Sequence, residues 1–240
     1  MKKTILLNKI FRIIFAVLSG IIALGMVVFY LLISSSQFTL AAIIAGVCTF
    51  LGLTIKSKWP LVYVIGGLVF LMYTGFAGAF SGDKPFQYPF QRIYADERCG
   101  FDVSFMPETL PDTGYSYSTD FMPSVLQGSG YYSVLVETDE KTVAQIKADA
   151  EKRAIEKVIV SDCLDEYTIE ECTAHKTGTF QYISSEAEDK DFFVYIPYEA
   201  VKNPEGYRIY VAYTDYDFNH PDTRAYIINE STNTVIWSII

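Results

Sequence analysis

The residues best suited to chemistry in this sequence are three cysteines and a histidine in its C-terminal two thirds. Cys163 and Cys172 are separated by eight residues, a loop that a disulfide bond closes readily, and such a bond stabilises a fold by about 2–3 kcal/mol. This pairing leaves Cys99 as a buried thiol, whereas in the alternative Cys99 is itself one partner. His175 adds a nitrogen ligand, but no fourth ligand follows at the spacing of a structural zinc site. The cysteines therefore predict a disulfide, with its partners open, rather than a metal site.

A second group of chemistry-bearing side chains occupies residues 215–222. Oxygen-bearing residues recur there as they do in a calcium-binding loop, at Asp215, Asp217, Asn219 and Asp222. The helix–loop–helix calcium site requires glycine at its sixth position and glutamate at its twelfth, where this chain has His220 and Tyr226. Predicted strands, not helices, flank the segment. It is interpreted as the polar loop of a hairpin, with a weak cation site as the alternative.

Motifs of known catalytic centres are missing or incomplete. The sequence has no G-x-S-x-G nucleophile elbow, phosphate-binding loop or dinucleotide fingerprint. Ser81 and Lys84 fit Ser-x-x-Lys, and residues 176–178 fit Lys-Thr-Gly, but the buried helix and large domain that accompany these fragments in penicillin-recognising enzymes are not indicated. No two of the 28 acidic residues are singled out as a hydrolytic pair. We therefore assign no catalytic, cofactor-binding or metal-binding residue, and a non-enzymatic role is favoured.

Tyrosine is concentrated in the C-terminal part, where 15 of the 18 tyrosines follow residue 82. Ordinary sheet packing is the main interpretation, because tyrosine suits half-buried strands. Alternatively, four tyrosines at intervals of three form a surface for a peptide or a sugar: Tyr207, Tyr210, Tyr213 and Tyr216.

Three apolar stretches, residues 13–33, 38–55 and 61–80, precede all of these residues. None contains Asp, Glu, Lys, Arg or His, and a helix of ~20 apolar residues crosses a hydrocarbon layer of ~30 Å. They predict a three-helix transmembrane anchor over residues 1–82, with the lipid bilayer as a partner through residues 13–80. Residues 83–240 are predicted to form a separate domain.

Basic residues predict the orientation of this anchor. Residues 1–82 carry six basic residues and no acidic one, with four in the N-terminal tail and two, Lys56 and Lys58, after the second stretch. Positive residues remain on the cytoplasmic side, so three crossings place residues 83–240 on the extracytoplasmic side. The other 13 basic residues and all 28 acidic ones belong to that domain, whose net charge is −15. This charge repels phosphate backbones, so no nucleic-acid partner is expected.

The domain is predicted to be α+β, with one long helix packed on an antiparallel sheet. Asp139 is a good N-cap for a helix that extends to Val158, with apolar residues spaced by three and four. Residues 83–130 are otherwise irregular, and residues 231–233 form a hairpin turn. Strands are predicted at residues 99–105, 131–137, 179–184, 192–198, 207–213, 224–229 and 235–240.

Together these features predict a multi-pass cell-membrane protein that presents an acidic extracytoplasmic domain. The expected function of that domain is binding or scaffolding of a protein partner at the membrane or outside it. One alternative is an extracytoplasmic carboxylate-dependent hydrolase. Another is an accessory subunit of a membrane complex, indicated only by small residues four apart in the apolar stretches: Ala16/Gly20, Ala42/Gly46 and Gly75/Ala79.

Overall fold

The structure is a computed structural model and describes residues 2–54, 66–67, 69, 78–111, 116–124, 129–185, 190–215 and 221–240. The chain divides into two compact units, Met1–Phe80 and Ser81–Ile240. Each unit is described by itself.

The first unit contains two long helices joined by a short turn, α1 (Lys2–Ile33) and α2 (Ser36–Thr54). Within the described residues, two segments are long and apolar enough to cross a membrane, Arg12–Ile33 with 22 residues and Ser36–Thr54 with 19. The predicted count of three spans is therefore not supported. The third predicted span, residues 61–80, falls largely outside the described residues.

The two helices pack through small side chains. In α2 one face is buried, and it consists chiefly of Ala41, Ala45, Cys48 and Gly52. The predicted pair Ala42/Gly46 lies one residue away from this face, and a Cβ added to Gly46 would meet nothing within 4 Å. A Cβ added to Gly20 of α1 would lie 3.9 Å from Thr49, so the helices approach closely there.

Arg12 connects the two helices at one end of the hairpin. Its Nε donates to the Gly52 carbonyl oxygen at 3.1 Å, and its Nη2 donates to the oxygens of Gly52 and Leu53 at 2.9 and 3.0 Å. The last carbonyls of a helix lack helical partners and carry its negative dipole end. The guanidinium therefore stabilises the end of α2 and holds the helices antiparallel.

A seven-stranded sheet in the order β1-β2-β3-β9-β8-β7-β4 is the centre of the second unit. The five pairings from β2 to β4 are antiparallel, which confirms the predicted sheet type. Its strands are β1 (Phe80–Gly82), β2 (Ser116–Met122), β3 (Tyr131–Glu137), β4 (Glu156–Ile159), β7 (Arg208–Asp215), β8 (Asp222–Asn229) and β9 (Thr234–Ile239).

Helices pack on one face of this sheet, and a hairpin with short helices packs on the other. One face carries α3 (Tyr88–Cys99) and the long helix α4 (Glu140–Arg153). The other carries a two-stranded hairpin and three short helices, with the main hydrophobic core between these elements and the sheet. These elements are β5 (Thr179–Ser185), β6 (Lys190–Ile196), α5 (Val160–Cys163), α6 (Glu166–His175) and α7 (Tyr198–Lys202).

The segment predicted as irregular contains both α3 and β2. The predicted strand at 99–105 is wrong, because Cys99 is the last residue of α3 and residues 100–105 form a loop with one 3-10 turn, Val103–Phe105. Pro89 lies in the first turn of α3, where its missing N–H costs no hydrogen bond. The helix ends at Gly100, whose φ of 71° is the left-handed conformation that glycine adopts without strain. Proline therefore begins a helix here instead of interrupting one.

The start of the long helix is confirmed, and its predicted end is wrong. The Asp139 carboxylate accepts the Thr142 N–H at 2.9 Å, as an N-cap does. The helix ends at Arg153 instead of Val158, because Glu156–Ile159 form β4 on the edge of the sheet. The apolar spacing of the helix continues through residues 154–158. These residues nevertheless leave the helix, because the backbone N–H and C=O groups at the edge of β7 would lack partners if the helix were longer.

The predicted strands do not all join one antiparallel sheet, because β5 and β6 pair only with each other in a separate two-stranded sheet. The predicted strand at 192–198 ends at Ile196, since Pro197 is the N-cap of α7. The predicted turn at 231–233 is confirmed between β8 and β9, where Asn229 Oδ1 accepts the N–H groups of Ser231 and Thr232 at 3.0 and 3.2 Å.

Candidate functional site

The predicted disulfide is absent, since all four cysteines, each of them described, carry free thiols. The Cys163 Sγ lies 3.5 Å from the Ile159 oxygen, and the Cys172 Sγ lies 3.9 Å from the Gly178 oxygen. The two thiols thus face different carbonyls within the core. Burial raises the pKa of Cys163 and of Cys99 to about 11, so both remain protonated at neutral pH. No cluster of three metal-ligating side chains occurs among the described residues.

Asp222, at the end of the predicted cation loop, is paired with an arginine. The Nε and Nη2 of Arg224 donate to the Asp222 carboxylate at 3.2 and 2.7 Å, and its Nη1 lies 2.6 Å from Asp102. Asp217 and Asn219 lie outside the described residues. Asp222 therefore already has a cationic partner, which it shares with Asp102, and a cation site at this loop stays a prediction.

The four tyrosines of the alternative ligand surface do not form one exposed face. Tyr207 and Tyr210 are buried, and Tyr216 lies outside the described residues. Tyr213 lies beneath the Arg224 guanidinium, 4.2 Å from its ring centroid, in a cation–π contact. The three described tyrosines therefore have structural contacts, as the sheet-packing interpretation predicts.

Two clefts in the second unit contain acidic residues that are already paired. The first, of about 330 Å³, is lined in part by Asp102 and Asp222, which share Arg224. The second, of about 360 Å³, is lined in part by Asp149 and Arg153, which form an i,i+4 ion pair at 2.9 Å. As far as the described residues define them, neither cleft offers the two unpaired carboxyl groups of an acid–base hydrolase.

A continuous strip of aromatic rings lies on the outer face of the β5–β6 hairpin. Tyr195 and Tyr131 stack at 3.6 Å between ring centroids, Phe180 and Phe193 stack at 5.2 Å, and Tyr182 lies 4.7 Å from Phe193. Exposure rises along the strip: Tyr131 and Tyr195 are buried, the two phenylalanines are partly exposed, and Tyr182 is 59% exposed. We call these five rings the aromatic strip.

Strand alternation explains why these rings share a face. The pairs Phe180↔Tyr195 and Tyr182↔Phe193 are register neighbours in the hairpin, and residues two apart in a strand point to the same side. The intervening residues Phe192, Val194 and Ile196 point to the other side and are buried in the main core. The hairpin therefore has two apolar faces. The main core covers the inner face, whereas the outer face is buried against Tyr131 and Ile240 at the Tyr195 end and exposed at the Tyr182 end.

Asp120 of β2 lies at the buried end of the aromatic strip. Its Oδ2 accepts the hydroxyl of Tyr131 at 2.9 Å and that of Tyr195 at 3.1 Å. Burial is the largest effect on the pKa of Tyr131 and raises it. A hydrogen bond with Tyr195 lowers this pKa and the nearby Asp120 charge raises it, so that the pKa is about 12. Burial and the same carboxylate raise the pKa of Tyr195 further. Both phenols therefore stay neutral donors around Asp120.

Gly178 allows this arrangement. A Cβ at this position would overlap the Tyr195 hydroxyl and ring, so a larger residue would displace the phenol from Asp120.

Asp191 lies at the exposed end of the aromatic strip. It is the register partner of Ser184, whose Oγ donates to its Oδ1 at 2.6 Å. In the alternation of the hairpin, this pair is on the same face as Tyr182 and Phe193. A carboxylate therefore marks each end of the aromatic strip.

No protein-family model, curated protein or solved structure matches this chain. The function must therefore be argued from the molecule itself.

The aromatic strip was not predicted as a surface from the sequence. The signal was present, because aromatic residues recur two apart at 180 and 182 and again at 193 and 195. The inner face of the same strands is also apolar, so the sequence alone did not show which face the core covers.

Proposed function

We propose that this protein is a membrane-anchored binding protein whose aromatic strip binds a protein partner on the extracytoplasmic side. The observation that carries the proposal is the exposed end of the outer face of the β5–β6 hairpin, where Tyr182 is 59% exposed beside the partly exposed Phe180 and Phe193. Contiguous exposed aromatic side chains are uncommon on soluble proteins that act alone. They are typical of the centres of protein interfaces.

Rigidity of the aromatic strip supports a binding role. The inner face of the hairpin is embedded in the main core through Phe192, Val194 and Ile196, all of which are at most 1% exposed. Tyr131 and Tyr195 are held by Asp120 at one end. Rings that are already ordered lose little conformational entropy when a partner binds.

Anchoring and orientation are supported by the first unit and by the charge distribution. The helices α1 and α2 are long enough to cross a membrane, and Arg12 lies at the end of the hairpin from which the chain continues to Lys56 and Lys58. These basic residues favour the cytoplasmic side for that end. A further crossing, proposed for the apolar residues 61–80, would lead the folded unit to the extracytoplasmic side.

A photo-crosslinking experiment tests the proposal. A photoreactive phenylalanine analogue replaces Tyr182 in the full chain, which is expressed and irradiated in its native membrane. The matched control places the same analogue at Tyr167 of α6, a tyrosine that is 70% exposed but lies outside the aromatic strip. We expect an adduct of defined mass from position 182 and a much weaker one from position 167.

The Phe193→Ser variant supplies the second control, because it removes a ring of the aromatic strip without changing the crosslinking position. The adduct from position 182 should then decrease. Equal crosslinking at both positions, or none at position 182, would contradict the proposal.

A further inference from the structure

We infer that the segment bound by the aromatic strip is an extended, basic stretch of a partner protein, with lysine or arginine at alternating positions. The inference rests on the proposed function and adds the chemistry of the partner. It is carried by the combination of exposed ring faces with a carboxylate at each end.

Charge around the aromatic strip favours a cationic occupant. Asp120 and Asp191 lie at its two ends, and residues 179–196 carry four acidic side chains and one basic side chain in the sequence. The whole of residues 83–240 has a net charge of −15. Lysine and arginine bind aromatic faces by cation–π contacts of about 0.5–1 kcal/mol at exposed sites, and nearby carboxylates add attraction.

The repeat of the aromatic strip matches an extended peptide. The rows Ser184/Asp191, Tyr182/Phe193 and Phe180/Tyr195 follow one another at two-residue intervals, which is about 7 Å in a strand. Side chains on one face of an extended peptide recur at the same interval. Successive basic side chains of such a peptide can therefore contact Asp191, then the Tyr182/Phe193 row, then the partly exposed Phe180, whereas Tyr195 in the last row is buried.

Other occupants fit the charge less well. A second copy of the domain would bring another net charge of −15 to this surface, and anionic lipid headgroups would also be repelled. The basic N-terminal tail of the same chain is assigned to the cytoplasmic side by the proposed topology. A basic segment of another extracytoplasmic protein is therefore the occupant that the observations favour.

Peptide binding to the full-length protein in non-ionic detergent tests this inference. The probe is a fluorescent decapeptide of alternating lysine and serine, and binding is followed by fluorescence anisotropy at low and high salt. The comparison peptide has glutamate in place of lysine. We expect the lysine peptide to bind and the glutamate peptide not to bind. Affinity should fall at high salt, because part of the attraction is electrostatic.

Two variants with matched controls locate the binding site. Asp191→Asn keeps an acceptor for Ser184 but removes the charge, and Tyr182→Ser removes the most exposed ring. Each should weaken lysine-peptide binding about threefold, and both together about tenfold. The controls Glu170→Gln and Tyr167→Ser make the same chemical changes on α6 and should leave the affinity unchanged.

The outcomes separate this inference from the proposed function. If position 182 crosslinks to a partner but the lysine peptide does not bind, a basic partner is excluded and the proposed function stands. The same conclusion holds if position 182 crosslinks but the α6 controls weaken peptide binding as much as the variants of the aromatic strip. If neither crosslinking nor binding of either peptide occurs, both are overturned.

Discussion

At the scale of single residues, the most informative group is Asp120 with Tyr131 and Tyr195. One carboxylate oxygen accepts both phenol hydroxyls, and the two rings stack on each other. Because burial and the adjacent negative charge both disfavour a phenolate, the two tyrosines hold their protons well above the ordinary range. This small network joins β2, β3 and β6, although Asp120 and Tyr195 are 75 residues apart in the sequence.

The raised pKa of Tyr131 predicts loss of stability in alkali. An unfolded tyrosine ionises near pH 10, whereas Tyr131 in the fold keeps its proton to about pH 12. Between these values the folded state binds more protons, so the free energy of unfolding falls as pH rises. Each such tyrosine contributes a slope of about 1.4 kcal/mol per pH unit. Denaturation midpoints measured from pH 8 upward should show a shallower decline in Tyr131→Phe than in the wild type.

Tyr182→Phe is the control for this measurement, because it also removes one phenol from the aromatic strip but at its exposed end. The alkaline decline should be shallower in Tyr131→Phe than in this control variant. An alkaline decline that is identical in Tyr131→Phe and the wild type would contradict the role of this buried phenol.

At the scale of elements, the pairing of α1 with α2 shows how one residue of register decides which side chains meet. The sequence offers two overlapping small-residue patterns in α2, Ala41/Ala45 and Ala42/Gly46. The structure buries the first, with Ala41 at 0% and Ala45 at 6% exposure. Arg12 holds the end of α2 through its terminal carbonyls, so the register is fixed by a polar contact as well as by packing.

This register predicts different effects for two neighbouring substitutions. Ala45→Leu forces a large side chain into the helix interface and should disfavour the packed hairpin by about 1–3 kcal/mol. Ala42→Leu adds the same atoms one residue away and should have little effect. The readout is oxidative crosslinking of Gly20→Cys with Thr49→Cys, in a Cys48→Ala background.

We expect crosslinking at this pair to slow at least about fivefold in Ala45→Leu and to stay near the parent rate in Ala42→Leu. The opposite order would show that the helices pack through the Ala42/Gly46 face.

At the scale of the whole molecule, the dominant feature is the separation of charge along the chain. Residues 1–82 carry six basic residues and no acidic one, and all 28 acidic residues follow. The first unit supplies apolar helices, and the second supplies a folded α+β sheet domain with an aromatic strip that is exposed at its Tyr182 end. Our proposed function assigns anchoring to one unit and partner binding to the other.

The proposed topology predicts which positions a membrane-impermeant thiol reagent reaches in intact cells. Tyr167→Cys, on exposed α6, should react before lysis, whereas Lys9→Cys should react only afterwards. Wild-type protein is the control, and its background should be low because the Cys99 and Cys163 thiols are protonated at neutral pH. Labelling of Lys9→Cys in intact cells, with Tyr167→Cys protected, would reverse the topology.

Features set by neighbouring residues could be predicted from the sequence. The apolar helices α1 and α2, the N-cap Asp139, the turn at 231–233 and the antiparallel strand type each depend on side chains within a few positions of one another. Local periodicity and capping are therefore sufficient to indicate them.

The tertiary structure alone decided which of the locally acceptable alternatives is realised. Residues 154–159 suit a helix or a strand, and the open edge of β7 selects the strand. Cys163 and Cys172 have a spacing that permits a disulfide, but α5 and α6 direct their thiols to different carbonyls. The Tyr182 end of the aromatic strip is exposed because the main core forms on the other face of the hairpin. These outcomes depend on contacts between distant residues, and local sequence pattern does not encode which distant surface a segment will meet.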